Sequence, residues 1–154
     1  MLSIVYLIDS NMTATSIHNK CKGDRSIINK RVLIVDDEPD VIIAIEIVLE
    51  MNGFKVDSFT DPLSALENFR QEAGIYDLLM LDIKMPNMNG FELYKHIKKI
   101  DDKVKVCFLT AGEMDYEQFR KELIPALDKN CYIQKPIETE ILIRRLNRII
   151  ASSN

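Results

Sequence analysis

Short apolar runs that stop abruptly at acidic or polar residues punctuate the chain. Val32 to Val35 stops at Asp36-Asp37-Glu38, Asp77 to Leu81 stops at Asp82, Val104 to Leu109 stops at Thr110-Ala111-Gly112, and Cys131 to Gln134 leads into Lys135-Pro136. Strands that are apolar on both faces need a layer of structure on each side, as in a parallel sheet covered by helices. Phe54 to Phe59 differs in alternating apolar and polar positions, which predicts a half-buried strand at a sheet edge.

Between the strands the period changes to that of helices. Pro39 suits a first helical turn, and Asp37 or Glu38 can cap or face its positive end, so a helix is expected from about Pro39 to Asn52, stopped by Gly53. Asp61-Pro62 places an N-cap before a proline and opens a helix with Leu63, Leu66, Phe69 and Ala73 on one face. Gly90 to Lys99 carries Phe91, Leu93, Tyr94 and Ile97 on its apolar face, and Lys98 and Lys99 complement the negative end of its dipole. Glu113 to about Leu127 has helical pattern. A last helix from about Glu138 to Ile150 turns Ile141, Leu142, Leu146, Ile149 and Ile150 inward and Arg144, Arg145 and Arg148 outward.

Strand and helix alternate five times without a repeat, and right-handed crossovers turn that order into an α/β fold, a doubly wound five-stranded parallel sheet. The first 30 residues stand apart. After the apolar piece Leu2 to Ile8 they are a polar mixture without period, so residues 1–30 read as a largely disordered extension, 31–151 as the domain and 152–154 as a tail.

Composition narrows the classes. A chain of 154 residues holds one ordinary domain, and a net charge of -4 gives no general attraction to nucleic acid. Cys21, Cys107 and Cys131 are widely spaced and accompanied by only two histidines, which disfavours a disulfide framework or a zinc site. No apolar run is long enough to span a bilayer and no positive segment precedes Leu2, so neither a membrane span nor a secretory signal is expected and the default compartment is cytoplasmic.

Candidate chemistry follows from where the runs stop. In open parallel sheets ligands bind outside the carboxyl ends of the strands, so the acids at 36–38, Asp82, Thr110 and Lys135 converge on one edge. Asp82 alone is ambiguous, because it can also cap the helix beginning near Gly90. Three clustered carboxylates repel, and a hard divalent cation such as Mg²⁺ relieves that repulsion with few protein ligands. A lysine beside such a site makes sense if an anion joins the metal. Metal, carboxylate, hydroxyl and ammonium together suit transfer of a phosphoryl group onto Asp82.

The segments V-L-I-V-D-D-E-P-D, L-L-M-L-D-I-K-M-P-N-M-N-G, F-L-T-A-G and Y-I-Q-K-P resemble, in order, the signatures of response-regulator receiver domains of two-component signalling, over about Arg31 to Ala151. The resemblance implies a flavodoxin-like strand order 2-1-3-4-5. It makes Asp82 the phosphoacceptor for a phosphoryl group from a histidine kinase or histidine phosphotransfer protein. Asp36 and Asp37 become metal-binding acids, together with Asp82 and the backbone carbonyl of Lys84. Thr110 and Tyr132 become a switch pair, Lys135 the phosphate-binding lysine, and the Lys135-Pro136 peptide is expected to be cis. Such a protein catalyses only its own phosphorylation and dephosphorylation. It signals through a downstream protein partner, alone or as a homodimer, with no direct contact to nucleic acid or membrane.

The pattern also departs from the family. Asn89 stands where an acid commonly precedes the glycine, and Asn caps helices well. D-K-N-C stands where Gly-Ala is common, so Asp128 or Asn130 is expected to take the left-handed turn. In the first helix Ile43, Ile47 and Met51 form a stripe opposite Val41, Ala44, Ile45, Val48 and Leu49, available to kinase helices, to a second copy or to Leu2–Ile8. Three other readings of the whole are weaker. A small aspartyl-phosphate phosphohydrolase would want an acid where Lys84 stands. A degenerate receiver acting as a scaffold fits poorly with intact Asp36, Asp37, Asp82, Thr110 and Lys135. Flavin binding lacks a Gly/Ser/Thr-rich phosphate loop.

Overall fold

The structure, a computed structural model, describes residues 29–111, 127 and 129–152. Its elements run β1 (Arg31–Val35), α1 (Pro39–Met51), β2 (Lys55–Phe59), α2 (Pro62–Gln71), β3 (Leu78–Asp82), α3 (Gly90–Lys98), β4 (Lys105–Ala111), β5 (Tyr132–Lys135) and α4 (Thr139–Ala151). The five strands pair in parallel in the order β2-β1-β3-β4-β5. That is the expected doubly wound sheet, with alternating β2 at an edge. The helix expected at Glu113–Leu127 lies outside the described residues, apart from Leu127 itself, as does the extension up to residue 28.

Alternation along the central strands divides the core in two. Leu33, Val35, Leu79, Leu81 and Phe108 face the layer of α2 and α3, whereas Val32, Ile34, Leu78, Met80 and Cys107 face α1 and α4. Every residue of β3 is buried, as a strand covered on both faces requires. The continuous apolar runs in the sequence therefore have a direct physical cause in this double cover.

Several face assignments need correction. On α2 the buried set is Pro62, Ala65, Leu66 and Phe69, at i, i+3, i+4 and i+7; Leu63 falls beside that stripe and is half exposed, and Ala73 lies beyond the helix. On α1 Ile42 is buried rather than Ala44, which is intermediate. On α4 the inward stripe is Leu142, Leu146 and Ile149, leaving Ile141 exposed. Arg145 lies between Leu142 and Ile149 on the same side. It is not an outer-face residue, and its guanidinium donates to the Tyr132 carbonyl at 2.9 Å. Asn130 takes no left-handed conformation but belongs to a 3-10 turn, Lys129–Cys131, and Asp128 lies outside the described residues.

Candidate functional site

The carboxyl ends of β1, β3, β4 and β5 bring the expected residues to one edge of the sheet. Asp36 follows β1 and is fully buried, Asp82 ends β3 and is 5% exposed, and Thr110 near the end of β4 is 8% exposed. Oxygens of Asp36, Asp37 and Asp82 all lie within 4.8 Å of one another, with Asp37 exposed. Among the described residues one ammonium enters this cluster. Lys135 Nζ lies 2.9 Å from Asp36 Oδ2, 2.9 Å from Asp82 Oδ1 and 3.5 Å from Glu38 Oε1. The Lys135-Pro136 peptide is cis, as expected.

Backbone groups fix both buried carboxylates. Glu38 N–H donates to Asp36 Oδ1 at 3.0 Å, and Lys84 N–H donates to Asp82 Oδ2 at 2.8 Å. These bonds orient the acids without neutralising them. Burial pushes both carboxyls above the usual carboxylate range, and the hydrogen bonds and charge of Lys135 only partly offset it. Burial acts on Lys135 the other way, but its hydrogen bonds to Asp36 and Asp82 prevail and hold its ammonium above the ordinary lysine value. Three carboxyl groups thus face one ammonium among the described residues. The cluster's all-oxygen donors, two buried and one reaching solvent, match what a small hard divalent cation takes.

Asp82 does not cap the following helix. Asn89 does, accepting from Glu92 N–H at 2.9 Å while Glu92 Oε2 accepts from Asn89 N–H at 3.0 Å, a complete capping box. The departure to Asn at this position is therefore accommodated. Asp82 is left free of helix-capping duty and points its carboxylate at Lys135.

Gly90 is a supporting residue that the sequence marks only as a helix start. A Cβ there would stand 2.3 Å from the Asp82 backbone oxygen, while Gly90 N–H donates to the Ile83 carbonyl at 3.1 Å. The available signal is weak: glycine is a poor helix former, and a helix start alone does not call for it. Beside the acids, Asp37, Lys84, Met85, Pro86, Asn89 and Phe91 line a shallow open depression. Asp37 belongs to both the depression and the acidic cluster.

Tyr132 is turned inward. Its ring stacks on Phe108 at a centroid distance of 5.5 Å and lies 6.4 Å from Phe91, which itself lies 4.6 Å from Phe108. Phe108 and Thr110 lie on the same face of β4, two residues apart. Thr110 pairs in register with Gln134, next to Lys135. The aromatic cluster therefore joins β4 and β5 to the first turn of α3.

Comparison with known proteins agrees with this geometry. The response regulator receiver domain family matches residues 32–147. The chain is 38% identical over 96 residues to sporulation initiation phosphotransferase F of Bacillus subtilis, covering 62% of this chain and 76% of that protein. It is 33% identical over 116 residues to the transcriptional regulatory protein DltR of Streptococcus agalactiae, covering 75% of this chain but only 50% of that protein. It therefore spans about half the length of that regulator. Among solved structures, a response regulator receiver domain protein from Clostridium thermocellum superposes with a TM-score of 0.69 at 26% identity, over 79% of this chain and 94% of that one. Among the described residues no helix is long and apolar enough to cross a membrane. With four signature segments converging on one sheet edge and a family match over three quarters of its length, the chain belongs to the response regulator receiver domains of two-component signalling.

Proposed function

We propose that this receiver accepts a phosphoryl group on Asp82 from the phosphohistidine of a partner kinase or histidine phosphotransfer protein, in a cytoplasmic relay, and that a downstream protein reads the modified form. The observation that carries this reading is the position of Lys135 Nζ, 2.9 Å from both Asp82 and Asp36 in a cluster of three carboxylates. A cation site alone gains nothing from an ammonium in its middle. The same ammonium is useful where a polyanionic group arrives at Asp82.

The residues suggest how the transfer proceeds. An Asp82 carboxylate oxygen attacks phosphorus as the bond to the donor imidazole nitrogen breaks. The electron pair stays on that nitrogen, which takes a proton from solvent. Lys135 moves its hydrogen bond from Asp82 to a phosphoryl oxygen, and Thr110 donates its hydroxyl to another. Asp36, Asp37, Asp82 and the backbone carbonyl of Lys84 would hold Mg²⁺, which supplies neutralisation of the phosphoryl charge. Hydrolysis follows the same path, with water attacking phosphorus and Asp82 regenerated as the carboxylate.

Readout would pass through Thr110 and Tyr132. Tyr132 already packs inward against Phe108, so a Thr110 bonded to the phosphoryl group raises the population of that packing rather than creating a new one. The Bacillus subtilis relative is named a phosphotransferase, which supports passage of the group onward rather than attack on external esters.

Incubation with a small phosphodonor and Mg²⁺, followed by intact mass measurement, tests the reading. One phosphoryl group per chain is expected on the wild type, and none on Asp82→Asn or after chelation. Unlabelled protein that turns over an unrelated phosphoester many times would replace the receiver reading with a phosphohydrolase.

A further inference from the structure

The outer face of α1 carries none of the residues clustered around Asp82. Ile43, Ile47 and Met51 recur every four residues and are 53%, 43% and 49% exposed, a continuous apolar stripe on a helix whose opposite side is already packed on the sheet. The stripe runs about 12 Å along the helix at 1.5 Å per residue. It ends at Met51, beside the place where the N-terminal extension joins the domain. Asn29 N–H donates to the Gly53 carbonyl at 3.1 Å, and Lys55 N–H to the Lys30 carbonyl at 2.9 Å, so the chain enters immediately past the last turn of α1.

We propose that residues Leu2–Ile8 dock on the Ile43–Ile47–Met51 stripe of the same chain, a cover in cis over this face. The segment L-S-I-V-Y-L-I is apolar at every position but Ser3, and it is the apolar piece of the residues preceding Asn29. Residues 9–28 separate it from the anchor point. Twenty residues as a flexible coil would have a root-mean-square span of about 25 Å, ample for a stripe of about 12 Å that begins at the anchor. Charge is compatible. α1 carries Asp40, Glu46 and Glu50 and no basic residue, whereas residues 1–28 carry Lys20, Lys22 and Arg25 against Asp9 and Asp24.

Size distinguishes this occupant from a second copy. Three half-exposed side chains offer on the order of a few hundred Å², below the roughly 1,000 Å² that a stable interface between separate molecules buries. A tethered segment needs far less, because a short linker holds it at an effective concentration of about a millimolar. A small patch next to an anchored chain therefore favours an intramolecular occupant. Any partner that uses this face must first displace the segment, so the cover sets a threshold for docking that is independent of the state of Asp82.

The test uses the full-length chain in a Cys21→Ser background. Val5→Cys combined with Ile47→Cys, oxidised at low micromolar concentration, is expected to form an intrachain disulfide at least ten-fold faster than Val5→Cys combined with Leu63→Cys, whose second thiol lies on α2 in the opposite layer. Ile47 and Leu63 are both exposed, so the two chains should fold alike. Equal rates would overturn the proposal, as would disulfides formed only between chains in proportion to concentration, which would assign the stripe to a second copy. In the single variant Ile47→Cys, adding Leu7→Asp should speed maleimide labelling of that thiol several-fold. Unchanged labelling would overturn the proposal as well.

Discussion

Asp36 and Asp82 share one ammonium, and both remain harder to ionise than ordinary carboxyls because burial outweighs what Lys135 returns. Lys135→Met removes the only opposite charge in contact with either acid among the described residues. In metal-free buffer at pH 7 the variant should lose about 3–5 kcal/mol, the usual cost of removing one partner from a buried ion pair. The pH dependence has a definite sign. A carboxyl whose folded pKa is raised favours the fold while it is protonated, and that contribution is lost as pH rises through the folded value. Losing Lys135 raises both carboxyls further, so the deficit should be greatest at neutral pH and shrink as pH falls toward the unfolded carboxyl value of about 4. Urea unfolding of both proteins from pH 4 to 8 measures it, and a deficit that stays constant would show that Lys135 acts by packing alone. At this scale the identities of the clustered residues were legible in the sequence because each ends an apolar run. The distances were not, since nothing in the string says that one Nζ bridges two carboxylates.

The join between β3 and α3 is where an element depends on a missing atom. Gly90 opens α3 while its Cα faces the Asp82 carbonyl, and the 2.3 Å approach of an added Cβ is to backbone that cannot swing aside. Gly90→Ala should therefore destabilise by about 1–3 kcal/mol, as overpacking does, even though alanine is the better helix former. Thermal melts of the two proteins decide between those opposed effects. A rise in Tm would mean that α3 moves away from β3 without cost. The close approach was invisible in the sequence because it concerns backbone against backbone, whereas side-chain pattern reports only on faces. Faces themselves were read well on α3, where Phe91, Leu93, Tyr94 and Ile97 are all buried. They were misread by one position at Leu63 and Ile141. With 3.6 residues per turn, neighbours of the buried stripe sit at its margin, and hydrophobicity alone does not choose among them. Arg145 was assigned to the outer face because its charge suggested solvent; its long side chain instead reaches the Tyr132 carbonyl from the inner stripe.

Across the whole molecule, parallel topology makes a site out of residues far apart in sequence. Asp36 and Lys135 are 99 positions apart and 2.9 Å apart in space, because right-handed crossovers send every strand in the same direction and collect all carboxyl ends on one edge. That logic made the fold class and the convergence readable without coordinates, whereas the order of the strands came from the family's signature segments. The charge gathered this way also limits stability, since like charges held within 4.8 Å resist the fold that assembles them. A divalent cation that binds only the assembled cluster should therefore raise the unfolding free energy by RT ln(1 + [Mg²⁺]/Kd), about 2.7 kcal/mol at a hundred-fold excess over Kd. The gain should follow that logarithm in a Mg²⁺ titration of Tm at constant ionic strength. It should nearly vanish in Asp37→Asn, whose exposed carboxylate can change without disturbing the core. Monovalent salt at matched ionic strength serves as the control for screening, which acts weakly on the buried pair but strongly on exposed Asp37. Equal stabilisation by the monovalent salt would assign the effect to screening, and an undiminished Mg²⁺ effect in Asp37→Asn would show that Asp37 does not hold the cation.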